Sequence, residues 1–195
     1  IYILSLSDEA LASGAFNYKL PGKLVVHTAG SVSREILKPI SERNGVLYPL
    51  QSLRRETEHV PGIPILVDAS DGDSLKVLEG LAASVSSQVA RASDAERLKL
   101  HTAAVIVNNF SNHLYTLAED FCKRSGVEFK LLVPLIKETA DRISILSPAG
   151  LQTGPAIRND MGTIEKHLDL LSGFPEIQKI YRQLTESIKS FSKEN

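Results

Sequence analysis

Several things this chain lacks narrow what it can be. Of its 195 residues one is cysteine, Cys122, and none is tryptophan. One thiol cannot build a disulfide framework, a multi-cysteine zinc site or an iron–sulfur centre. An excess of one charge is missing as well: 22 Lys and Arg face 23 Asp and Glu. The balance is local, with 9 basic and 10 acidic residues up to Ala92 and 13 of each beyond it. Neither part reads as a basic nucleic-acid module or an acidic tail, so no nucleic-acid partner is expected. Long hydrophobic runs are absent. The longest uncharged stretch outside loops, Leu100 to Ala118, holds three Asn and two His, too many polar groups for a membrane span. No signal peptide is visible, and with a lone thiol the expected compartment is a reducing cytoplasm.

Phosphate-cradling and nucleophile motifs are missing too. No G-x-G-x-x-G, no G-x-x-x-x-G-K-[ST] and no G-x-S-x-G occurs. What is present is ordinary globular composition, 43% hydrophobic and 23% charged, enough to bury a core without a structural metal.

The first 92 residues alternate between strand and helix patterns. Ile1 to Ser7 opens as a near-continuous apolar strand of the kind buried on both faces of a parallel sheet. Such strands are normally central, so further strands are expected upstream of Ile1. Asp8 is expected to cap a short helix from Glu9 to about Phe16. Leu24 to Thr28 is a second strand, followed by a helix containing Ile36, Leu37 and Ile40, which Ser31 or Ser33 can cap. Val46 to Tyr48 is a third strand and Ile63 to Val67 a fourth, edge-like because of Pro64. Ser70 and Asp71 precede a helix with Leu75, Leu78 and Leu81, and Gln88 to Ala90 is a last short strand. This order predicts an α/β class. In such sheets ligands bind beyond the carboxyl ends of the strands. Two strand ends are polar and compact: Ser5, Ser7 and Asp8, and the run His27, Thr28, Ala29, Gly30, Ser31. A backbone without a side chain at Gly30 would admit a ligand closely. Asp8 and Ser31 can equally be plain helix caps.

Residues 93–195 read as all helical. Ser93 and Glu96 form a capping box for a long helix from about Asp94 to Ser125, stopped by Gly126. On an ideal helix His101, Thr102, Asn109, Asn112, His113 and Thr116 share an arc of roughly 120°. Ala103, Ile106, Val107, Phe110, Leu114, Leu117 and Phe121 lie opposite. A solvent face would usually carry Lys, Glu and Arg; this one has amides, imidazoles and hydroxyls. Such groups can orient a substrate carbonyl and move protons, or they can be a satisfied network between packed helices. His101 and His113 are too far apart for a metal pair. Pro134 should start or kink the next helix, with Glu138 and Arg142 paired on its surface. The loop from Ser147 to Asp160 is dense in Gly, Pro and hydrogen-bonding groups. In it Arg158 could hold a carboxylate or phosphate, or pair with Asp160. Two helices follow, about Thr163 to Leu171 and Glu176 to Phe191.

Taken together, these segments resemble a family. Those that carry the likeness are Ile3 to Ala10, His27 to Ser31, Tyr48 to Ser52, Asn109 to Tyr115, Pro134 to Ile136 with Glu138 to Ala140, and Gln152 to Asp160. In this order they resemble NADP-dependent oxidoreductases with a Rossmann-like domain followed by a helical domain of unknown function. The plan is similar to that of 6-phosphogluconate dehydrogenase-like and ketopantoate reductase-like enzymes. The resemblance implies the C-terminal portion of a Rossmann-like parallel sheet over residues 1–92 and a helical substrate and dimerisation domain over 93–195. It implies NADP as cofactor, with the glycine fingerprint upstream, and a nicotinamide site over Ser5, Ser7, Asp8, His27, Thr28, Gly30 and Ser31. A small carbonyl or imine substrate would lie between the domains, near Asn109, Asn112 and His113, with Gln152, Thr153 and Arg158 close by. A homodimer through the helical domain is also implied. One departure stands out. Better-known relatives place a Lys four residues before an Asn on this helix, whereas here Val105 precedes Asn109 and Asn108 precedes Asn112. A Lys general acid is therefore not carried over, and His113 is the side chain expected to supply or relay a proton. The other reading kept open is a non-catalytic dinucleotide-binding or sensing module whose polar helix face is structural.

Overall fold

The computed structural model describes residues 1–14, 16–53 and 62–194. They form two compact units, Ile1–Ser111 and Asn112–Asn195.

The first unit is built on five strands in sequential order: β1 (Tyr2–Leu4), β2 (Val25–His27), β3 (Asn44–Pro49), β4 (Ile65–Ala69) and β5 (Val89–Arg91). β1, β2 and β3 are mutually parallel. β4 runs antiparallel to β3, and β5 parallel to β4. One expectation changes here. β4 is not an edge strand: it starts at Ile65, just after Pro64, so the residue without an N–H stays outside the ladder and both neighbours can pair. β1 stands at one end of the described strand order, with Tyr2 and Ile3 about half exposed.

Apolar residues cover both faces of the sheet. On one, Leu24, Val26, Ile65 and Val67 pack with Leu78 and Ala82 of helix α2 (Gly72–Ala83), which Asp71 caps through the Ser74 N–H. Leu78 is fully buried, and replacing it by Ala would cost about 2–5 kcal/mol. Val25 packs with Leu37 and Ile40, beside Leu11, Ala29 and Val32. Leu11 belongs to helix α1 (Asp8–Ala12). Its cap is Ser7, not Asp8: the Ser7 side chain accepts the Ala10 N–H, and the helix ends after one turn. Ser33, not Ser31, caps the next segment, which is a four-residue 3₁₀ turn, Arg34–Leu37, in place of a full helix; Ile40 falls outside it.

Helix α3 (Asp94–Ala104) starts with the expected capping box between Ser93 and Glu96. The long helix does not continue as a regular α-helix. Val105–Phe110 is a π-helical segment, and only then does α4 (Ser111–Arg124) begin.

In the second unit α4 is stopped at Gly126, whose φ of 73° lets the Val127 N–H return to the Cys122 carbonyl at 3.0 Å. Pro134 sits in the first turn of α5 (Val133–Ile143), where its missing N–H costs nothing. α6 (Met161–Leu170), capped by Asp160, and α7 (Pro175–Glu194) complete the unit. Its centre holds Cys122, Ala156, Ile164 and Leu171. Phe121 meets Phe174 edge-on at 5.1 Å, and the Arg124 guanidinium stacks on Phe174 at 3.9 Å.

Candidate functional site

The two polar loops predicted at the strand ends are joined: the Ser31 hydroxyl donates a short hydrogen bond to the Asp8 carboxylate. Ser5, Ser7, Asp8 and Ser31 are exposed, and Thr28 is partly so. Asp8 and Ser31 line a groove of about 680 Å³ with Glu9, Ser33 and Glu35. Hydroxyls and carboxylates suit ribose hydroxyls and a carboxamide; carboxylates repel a pyrophosphate. These loops can therefore hydrogen-bond hydroxyl and amide groups of a ligand and would repel a phosphate.

Beneath the loops lies a buried polar cluster. His27 is fully buried, so its side chain is closed to a ligand, and its Nδ1 accepts the Ala29 N–H at 3.2 Å. Burial first, and then the Arg97 charge, lower its pKa to about 4, so it is neutral at physiological pH. Arg97 is 1% exposed. Its Nη2 donates to the Val32 carbonyl at 2.5 Å and to Asp94 at 2.6 Å, while Nε and Nη1 have no partner. Burial alone would raise Asp94, but the Ser33 hydroxyl, Arg97 and the Arg34 N–H outweigh it and hold its carboxyl below the usual range. This cluster ties the loop after β2 to the start of α3.

A second cleft of the first unit lies at the end of β3. It encloses about 660 Å³ and is lined by Tyr48, Gln51, Ser52, His101, Asn108 and Asn109 over an apolar floor that includes Leu50, Leu100, Val105 and Val107. The Tyr48 hydroxyl is 3.0 Å from Nδ1 of His101, with the rings edge-to-face at 6.0 Å. Gly30 underlies both. A β-carbon there would stand 2.5 Å from His101 Nδ1 and 2.9 Å from Tyr48 Cζ. The space that the sequence suggests for a ligand is thus taken by the protein's own rings.

The π segment decides which predicted residues reach this cleft. Its hydrogen bonds run one residue further than in an α-helix, so each residue turns by less than 100° and the ideal arc breaks. Asn109 lines the cleft and brings Asn108 with it. Asn112 and His113 open the second unit; both are exposed, and among the described residues no hydrogen bond holds either side chain. Ile106, Val107 and Phe110, predicted on the packing face, are 55%, 72% and 58% exposed. Gln152 and Thr153 line a groove of about 340 Å³ with Leu135, Glu138 and Arg142, and Gln152 donates to the Thr153 carbonyl at 3.0 Å. Arg158 is exposed, while Asp160 binds the Thr163 N–H and hydroxyl. Among the described residues no cluster of His, Cys, Asp or Glu could hold a metal, and no helix is long and apolar enough to cross a membrane.

Tyr48 and Asn108 are what the sequence reading missed. Tyr48 sat inside a segment carrying the family likeness, but its partner His101 is 53 residues away, a separation no local pattern bridges.

A Rossmann-like α/β sheet followed by a helical portion is the architecture these elements define. Residues 63–188 match the family described as a domain of unknown function, DUF2520, and the chain belongs to that family. Among solved structures it is similar to a Bacteroides fragilis protein named a putative NADP oxidoreductase, at 37% identity and a TM-score of 0.88, over 97% of this chain and 74% of that one. A Thermotoga maritima protein shares the fold at 23% identity and a TM-score of 0.72, over 94% of this chain and 78% of the other. A Mycobacterium avium protein named a putative oxidoreductase shares it at 14% identity and a TM-score of 0.52, over 86% and 68%. No curated protein matches the sequence.

Proposed function

We infer that this chain is part of an oxidoreductase that uses NADP to move hydride to or from a small carbonyl or imine. The observation that carries the reading is the cleft at the end of β3. There a hydrogen-bonded phenol–imidazole pair and two amides from a π-helical turn stand over an apolar floor. Such a site can hold a neutral carbonyl or imine by hydrogen bonds and exchange a proton with it. The likeness to the Bacteroides fragilis protein, named for NADP, supports the cofactor. Bound there, the dinucleotide would supply the hydride. Ser5, Ser7, Asp8, Thr28 and Ser31 would hold its nicotinamide ribose, and His27 with the backbone of Gly30 would set the shape of their loop. Asn109 orients the substrate. Asn112 is a further candidate for orienting the substrate, and His113 a candidate, on residue type, for supplying or relaying a proton. Gln152, Thr153 and Arg158 are the substrate-side candidates of the helical unit. That unit also exposes Leu131, Leu135, Ile143, Ile145 and Leu146, which supports a homodimer formed through it.

The reading is tested by titrating NADPH and NADH into the native-length protein, followed by fluorescence, and then offering small aldehydes, ketones and imines with the bound cofactor. Tight NADPH binding with oxidation of the cofactor by one of these is the expected result; no binding of either dinucleotide would sink it. A sensing module with a structural polar face would instead bind the dinucleotide without oxidising it.

A further inference from the structure

Tyr48 and His101 form a contact with the properties of a proton-delivery pair. Tyr48 is 9% exposed, yet it lines the cleft, so its hydroxyl is shielded from bulk water and still beside the space a substrate would fill. His101 lines the same cleft and approaches the phenol through Nδ1 at 3.0 Å. The fold provides for this contact specifically, because Gly30 leaves the volume that both rings use. The charged groups that bear on the phenol are Asp8 from α1 and Arg97 from α3. Burial most of all, and Asp8 next, favour the neutral phenol, so a proton is held ready. Arg97, with two guanidinium nitrogens unpaired, pulls the other way and stabilises the phenolate that donation leaves behind. Arg97 is itself partly neutralised by Asp94, and His27 nearby is uncharged.

We propose that Tyr48, in place of His113, is the catalytic proton donor of the reaction and that His101 reloads it through their hydrogen bond. This rests on the oxidoreductase reading above. In the reductive direction the π bond of the substrate C=O or C=N breaks. The carbon gains a hydride from the reduced nicotinamide dinucleotide, which is oxidised, and the heteroatom gains the Tyr48 hydroxyl proton. The phenolate takes the Nδ1 proton of the His101 imidazolium, and neutral His101 recovers a proton from water. Charged His101 donates to Tyr48 and leaves the phenol O–H free for the substrate; neutral His101 accepts from Tyr48 and withholds it. Turnover therefore requires protonated His101.

The test compares the native-length protein with Tyr48→Phe and His101→Gln, each checked by circular dichroism and thermal melting. NADPH binding by fluorescence should be the same in all three. With whichever carbonyl or imine the wild type reduces, Tyr48→Phe should lower kcat about 100-fold or more, with a much smaller change in KM. His101→Gln should lower kcat about tenfold or more and flatten the fall in kcat on the alkaline side of neutrality. In the cofactor-free protein, the His101 ring resonances followed by NMR should move once Tyr48 is Phe, because Nδ1 loses its hydrogen-bond partner. An unchanged kcat in Tyr48→Phe, or unmoved His101 ring resonances, overturns the proposal while leaving NADPH-dependent turnover intact. Failure of the wild type to bind NADPH or reduce any probe overturns the parent reading, and this one with it. If Tyr48→Phe does not fold, the kcat and pH profile of His101→Gln decide the question; a kcat equal to that of the wild type at every pH sinks it.

Discussion

The Nδ1 atom of His101 lies 2.5 Å from where a side chain on Gly30 would begin. The requirement for glycine at this position is one of volume: Gly30 is buried, and its neighbour in space is an aromatic ring held by a second ring. Gly30→Ala should therefore push His101 away from Tyr48 and cost about 1–3 kcal/mol through overpacking. A thermal melt would read the loss, and the His101 ring resonances in the same variant would show whether the pair has parted.

His27 gives the first unit a dependence on acid. Its pKa is about 4 in the folded protein against 6.5 in an unfolded chain, with burial as the main cause. Above pH 6.5 both states are neutral and the full stability is present. As pH falls from 6.5 towards 4 the unfolded chain takes up a proton that the folded one refuses, and up to about 3 kcal/mol is lost. His27→Asn keeps an acceptor for the Ala29 N–H and should remove this slope. Urea unfolding at pH 7.5, 5.5 and 4.5 would show whether the wild type loses more than the variant.

Asp94 is the counter-charge of a buried guanidinium. Asp94→Asn would leave Arg97 charged and buried, and would weaken the bonds to Ser33 and Arg34. Removing one partner of such a pair costs roughly 3–5 kcal/mol, less here because Asp94 is 37% exposed. We expect a loss near the lower end, measured by denaturant unfolding; a variant as stable as the wild type would show that Arg97 is satisfied in some other way.

Asn109→Ala and Asn112→Ala separate the two readings of the polar helix face. Both side chains are exposed, so each change should alter stability by less than about 0.5 kcal/mol. Asn109→Ala should raise KM, since Asn109 lines the cleft. A drop of about 1–3 kcal/mol in either variant would instead mark a buried structural hydrogen bond.

A homodimer through the helical unit is the proposal that sedimentation tests. Leu131 and Ile145 there are 75% and 79% exposed, apolar surface that a second copy could cover. Leu135→Lys combined with Ile143→Lys should convert the dimer to monomer in sedimentation; a wild type that already sediments as monomer would remove the proposal.

Much of this arrangement could be read from the chain, and the exceptions have physical causes. The capping box at Ser93 and Glu96, the stop at Gly126 and the start at Pro134 are local rules, satisfied within a few residues, and they hold. The cap of α1 was misplaced by one residue because Ser7 and Asp8 are both good caps and only the backbone angles choose between them. The π segment was invisible because no residue type marks it: Val105–Phe110 reads as an ordinary helical stretch. Its effect was large, since a periodicity argument carries the error to every later residue. Asn109 was found and Asn108 was not for that reason. Tyr48 was hidden differently. A tyrosine in a short strand looks like core, and only tertiary contact with His101 gives its hydroxyl a task.

One more property follows from β3. Asn44-Gly45 is the dipeptide most prone to deamidation, because the small glycine lets its own amide nitrogen attack the asparagine side chain. Here Asn44 is 1% exposed, its side-chain amide donates to the Ser41 carbonyl at 2.9 Å, and its oxygen accepts from Arg34 at 2.9 Å. The extended strand holds the reacting atoms apart. Conversion to aspartate and isoaspartate should therefore proceed only from molecules that have opened, and its rate in storage would act as a chemical clock for the unfolding of the sheet.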